Sequence, residues 1–78
     1  MKYETETCHG RTFIVRHIFK FDELKVDTKW APADGSDYEV TITNIDQTTK
    51  SVFYTDGKNS WVRDHFNFQC RYCLMVES

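Results

Sequence analysis

Seventy-eight residues leave room for one small domain, since domains typically need at least about 50. With 40% hydrophobic, 15% aromatic and 28% charged residues, the chain is too apolar for a disordered tail and too mixed for a low-complexity linker. Ten Lys and Arg against twelve Asp and Glu give a net charge of −2, so the positive excess of a phosphate-binding chain is missing.

A chain this short buries only about 60% of the surface it exposes when unfolded, so its core must be thin. At the start, Tyr3, Thr5 and Thr7 alternate with Glu4 and Glu6, and His9-Gly10 reads as a turn. Met1–Gly10 lacks the apolar middle and cleavage pattern of a signal peptide, and three Cys is an odd count below disulfide-scaffold density. The expected compartment is the cytoplasm, with free thiols. Apolar runs such as Leu74-Met75-Val76 reach only three residues, so no membrane partner is expected.

Thr12–Lys20, the most β-branched run, is expected to form a strand. Phe21–Lys25 suits one helical turn with Asp22 near its start, because no i, i+3, i+4, i+7 apolar series continues it. Ala31–Asp37, with its Pro and Gly, reads as a loop. Tyr38, Val40 and Ile42 then alternate with Glu39, Thr41 and Thr43, the period of a half-buried strand. Ser51–Thr55 forms another strand, stops at the hairpin dipeptide Asp56-Gly57, and returns through Asn59–Arg63. Asp64–Phe68 shows no alternation and is read as a 3₁₀ turn. In the last strand Cys70, Tyr72, Leu74 and Val76 share one face, and Arg71, Cys73, Met75 and Glu77 the other.

Five or six short antiparallel strands in one domain point to an all-β, SH3-like small barrel, whose closure removes exposed edges. Its expected core is Phe13, Val15, Tyr38, Val40, Ile42, Val52, Tyr54, Val62, Leu74 and Val76. From Tyr38 to Val76 the order is strand, Val52-Phe53-Tyr54, Asp56-Gly57, Trp61-Val62-Arg63 and then Phe66. This half of the chain resembles the C-terminal part of small SH3-like barrel proteins of unassigned function from bacteria and phages. Asp64 stands where one such family has Pro after its Trp-Val-Arg. The resemblance implies a barrel and no particular chemistry.

Cys70-Arg71-Tyr72-Cys73 has C-x-x-C spacing, but residues three apart in a strand point to opposite faces and cannot chelate one ion. The expectation is a buried Cys70, a half-exposed Cys73 and neither metal nor cofactor. Arg63-Asp64-His65 gathers ionisable groups, yet adjacent side chains do not face one another as a catalytic set must, so no enzyme is expected.

Charge is unevenly placed. Residues 22–46 hold seven acids against Lys25 and Lys29, a local −5, while Lys2, Arg11, Arg16 and Lys20 outweigh Glu4 and Glu6 in residues 1–21. The acidic stretch suggests a protein-binding face with Trp30, Asp34 and Asp37, joined by Trp61 and Arg63, because interfaces favour aromatics and Arg. The function expected is therefore a non-enzymatic interaction module, a candidate phage-encoded modulator of a host protein. The alternative is a barrel that stacks single-stranded nucleic acid on aromatics such as Tyr54, Trp61 and Tyr72 beside Arg16, Arg63 and Arg71. A thin core also leaves open a homodimer formed through an unpaired strand edge.

Overall fold

The computed structural model describes residues 3–76; Met1, Lys2 and Glu77, used above, lie outside them. Strands β1 (Glu4–Cys8) and β2 (Arg11–Val15) form a hairpin, paired from Glu4 with Val15 to Cys8 with Arg11. His9 and Gly10 both take positive φ, 54° and 75°, the turn geometry that matches strand twist. Arg16 takes φ 56° and ends β2, so the strand expected to reach Lys20 stops at Val15.

A 3₁₀ turn at Phe21–Glu23 falls in the segment expected to be helical. Strands β3 (Lys29–Pro32), β4 (Val40–Asp46), β5 (Ser51–Thr55), β6 (Ser60–Asp64) and β7 (Tyr72–Leu74) form an antiparallel sheet ordered β6-β5-β4-β3-β7. A short helix, α1 (His65–Arg71), carries the chain from β6 to β7, which returns to pair with β3. The hairpin joins this sheet through a Phe13–Met75 bridge and the Val76 N–H donating to the Thr12 carbonyl at 2.8 Å. The protein is an all-β, small barrel-like domain with one short helix.

Three further elements differ from the sequence expectation. Ala31 and Pro32, placed in a loop over Ala31–Asp37, belong with Trp30 to β3, because Trp30 pairs between Val40 and Leu74, and Pro32 opposite Tyr72 ends the ladder. The Asp64 carboxylate accepts the N–H groups of Phe66 at 3.1 Å and Asn67 at 3.3 Å, and so caps an α-helix where a 3₁₀ turn was expected. That helix runs through Arg71 and takes Cys70 out of the last strand; Cys70 is exposed rather than buried.

The core is more aromatic than expected. Trp30, Tyr54, Phe68 and Tyr72 interlock around Val40, Ile42 and Val52, with Phe68 lying 5.0 Å from Trp30 and 4.8 Å from Tyr54 between ring centroids. Phe13 is buried as expected, and Leu74 packs against the cluster half-buried. Tyr38, Val62 and Val76 are exposed and Val15 is half-buried, so these four are not core. Tyr38 precedes β4, and Val62 points away from the face that carries Val52 and Tyr54. Phe19, in the segment after β2, is buried because the Gln69 amide stands in for a strand partner. The Phe19 N–H donates to Oε1 at 2.7 Å, and Nε2 donates to the Phe19 carbonyl at 3.0 Å.

Candidate functional site

Residues two apart in a strand share a face, so Val52 and Tyr54 of β5 both look inward. Their partners in register are Arg63 and Trp61 of β6, which places all four on one side of the sheet. Trp61 lies over Tyr54 with centroids 5.6 Å apart and planes inclined by 28°. Tyr54 meets Tyr72 edge-on at 5.4 Å, and Tyr72 meets Tyr38 at 6.5 Å. Four rings thus form a row whose middle is buried and whose ends are open, with Trp61 at 41% exposure and Tyr38 at 44%.

The row carries polar tips. Arg63 Nε donates to the Tyr54 hydroxyl at 2.9 Å, and the Tyr38 and Tyr72 hydroxyls lie 3.4 Å apart. Beside Tyr38 and Tyr72 opens a cleft of about 250 Å³ bordered by Pro32, Asp34, Cys70 and Arg71. Neither Arg63 nor Arg71 enters an ion pair among the described residues. A larger cleft, about 600 Å³, lies between the hairpin, β3 and the chain end. Its one guanidinium, Arg11, spends both terminal nitrogens on the carbonyls of Ser36 and Tyr38 and on Asp37, and no aromatic ring lines the cleft.

Burial, followed by the Tyr38 hydroxyl and the neighbouring Tyr54, pushes Tyr72 above the ordinary tyrosine range. The proton is therefore held more tightly in the folded chain than in the unfolded one. Stability is complete below the unfolded value, about 10, and falls as pH rises beyond it. Tyrosinate absorbance of the natural chain and of Tyr72→Phe, followed through an alkaline titration, should differ by one ring that ionises together with unfolding. Ionisation of that ring near the ordinary tyrosine value of about 10, with the fold intact, would contradict its burial in the row.

The structure separates the residues singled out from sequence. Trp30 is 2% exposed, with its indole N–H donating to Thr28 Oγ1 at 3.0 Å; it is core, not a surface anchor for the acidic stretch. Tyr54 is 1% exposed and offers no face for a base to stack on. Arg16 is bound by Glu4 at 2.7 Å and lies 3.8 Å from Glu6, on the hairpin. Asp37 lies 3.6 Å from Arg11 and 3.8 Å from His9, holding the loop to the hairpin. Asp34 Oδ1 accepts the Ser36 N–H at 3.0 Å, which lowers its carboxyl below the usual range. Trp61 and Arg63 do meet, through Tyr54, and Asp34 and Arg71 border the cleft at the other end of the row.

Arg63-Asp64-His65 fans out instead of converging. Arg63 turns to Tyr54, Asp64 to the start of α1, and His65 packs edge-on against Phe21 at 5.2 Å. Among the described residues no three His, Cys, Asp or Glu side chains gather as a metal set, and Cys70 on α1 and Cys73 on β7 belong to different elements. Tyr38 is the site residue that sequence reading assigned to core, and Tyr72, named there only as a stacking aromatic, is 8% exposed and joins the row through its neighbours. Their signal was the polar hydroxyl, which a thin core places at its rim.

Fold and surface together define a small barrel-like domain with an aromatic row flanked by two arginines. In comparisons with known proteins, no family model, curated protein or solved structure matches the chain.

Proposed function

We propose that this domain is a non-enzymatic interaction module that holds a segment of a protein partner along the row from Trp61 to Tyr38. The observation that carries the reading is the row itself, two rigid exposed rings seated on two buried ones, with Arg63 and Arg71 at either end. Aromatic rings on fixed supports lose little conformational freedom on binding, and Trp, Tyr and Arg dominate the energetic centres of interfaces. The arrangement suits an apolar side chain lying between the open rings and carboxylates reaching the two guanidinium groups. A module of this kind fits a phage-encoded modulator that occupies a host protein. The single-strand nucleic-acid reading keeps Arg63, Arg71 and Trp61 but draws less support, since Tyr54 is covered and Arg16 is neutralised.

The test is capture from a bacterial lysate by the tagged protein and by its Trp61→Ala variant, with and without nuclease. A discrete protein that survives nuclease and is held at least about tenfold less well by the variant is the expected result. Equal capture by both proteins overturns the assignment of the row. Capture that vanishes with nuclease, and weakens steeply with salt, favours nucleic acid instead.

A further inference from the structure

The outer edge of β6 has no neighbour among the described residues. Two bonds fix which of its groups are free. The Asp56 N–H donates to the Asn59 carbonyl at 3.2 Å, and the His65 N–H donates to the Lys50 carbonyl at 3.0 Å. Bonded and non-bonded pairs alternate along an antiparallel ladder, so between these points Trp61 and Arg63 bond to β5. The N–H and C=O groups of Ser60 and Val62 and the N–H of Asp64 therefore point outward.

We infer that β6 pairs with β6 of a second copy of this chain, antiparallel about a two-fold axis through Val62. In that register the two Val62 residues exchange both backbone bonds. The Asp64 carbonyl belongs to α1 as its cap, so each flanking pair adds one bond, from the Asp64 N–H to the Ser60 carbonyl of the other copy. Trp61 then stands opposite Arg63 of the second copy in a non-bonded pair, where side chains come closest. The Tyr54 hydroxyl already holds the Arg63 guanidinium on the face that carries Trp61, as a cation–π contact requires. On the outer face, Val62 meets Val62 with Phe53 beside each, joining side chains that are 53% and 37% exposed in the single chain.

Two competing registers fit less well. A shift of one residue faces bonded groups against free ones, and centring on Arg63 sets like charges directly opposite. β6 carries neither the Lys nor the Pro that usually blunts an edge. The edge strand β1 differs, because Glu4 and Glu6 line it and self-pairing there would bring carboxylates together. The inference uses Trp61 and Arg63, which the proposed function also uses, but its test needs the chain alone, so either reading can fail without the other.

Sedimentation equilibrium and amide hydrogen exchange on the full chain, at low and high protein concentration, test it. A monomer–dimer equilibrium is expected, with the Val62 and Asp64 amides at least tenfold better protected at high concentration and those of Trp61 and Arg63 unchanged. Val62→Lys, at an exposed position, should weaken self-association at least tenfold while leaving the circular dichroism spectrum as it was. A monomer at every concentration, protection gained elsewhere, or undiminished association of a folded Val62→Lys variant overturns the inference. Should that variant fail to fold, the exchange pattern of the unmodified chain decides alone.

Discussion

Trp30→Ala is expected to leave the folded state barely populated. The side chain is 2% exposed, pairs in register between β4 and β7, and meets Phe19 and Phe68 edge-on at 6.2 and 5.0 Å. Truncating a buried aromatic removes its transfer energy and leaves a cavity, together about 3–5 kcal/mol. A small domain has about 5 kcal/mol to lose, so the change consumes most of its stability. Urea unfolding should show a midpoint shifted toward zero denaturant. A variant as stable as the natural chain that has lost its partner would return Trp30 to the surface and contradict its place in the core.

Gln69→Met should destabilise the domain by about 2–6 kcal/mol with little change in volume. Gln69 is the one buried polar residue among those described, and both ends of its amide are spent on Phe19. Met fills the space but leaves the Phe19 N–H and carbonyl without partners, at about 1–3 kcal/mol for each. Gln69→Glu keeps an acceptor for the Phe19 N–H but loses the donor to its carbonyl, and adds a buried charge at neutral pH. It should be at least as damaging. The Phe19 amide should also exchange much faster in Gln69→Met, which links the lost bonds to the lost stability. A Met variant within about 0.5 kcal/mol of the natural chain would mean that the segment after β2 is not held by this side chain.

The strands that sequence reading found best are those written in period two with a strong turn beside them. Val40 and Ile42, Val52 and Tyr54, and the Asp56-Gly57 turn all hold, because each strand there buries one face and wets the other. Lys29–Pro32 was hidden because its burial does not alternate: Trp30, Ala31 and Pro32 are all buried, and Pro reads locally as a breaker. The helix after β6 was hidden by length, since two turns are too short to display an apolar stripe. Its signal was Asp64, whose carboxylate serves the two N–H groups that a helix start exposes. Missing that cap moved Cys70 and Arg71 to the wrong element.

The candidate surface was half legible. Trp61 and Arg63 lie two apart in one strand, so their shared face follows from sequence. That Tyr54 links them, and that Tyr72 and Tyr38 extend the row, depends on which strands are neighbours, which composition does not encode. Trp30 and Trp61 have the same side chain, and only the fold separates them: one sits on β3 inside the sheet, between β4 and β7, the other on an edge strand.

Two tryptophans in contrasting places supply the most direct test of the central claim. Titrating the captured partner into isotopically labelled protein, and following the two indole N–H signals with the Arg63 side chain by NMR, reads the surface itself. Binding along the row predicts that Trp61 and Arg63 shift or broaden while Trp30, hydrogen-bonded to Thr28 in the core, stays in place. Binding that leaves Trp61 unmoved and perturbs the hairpin instead would contradict the assignment of the site.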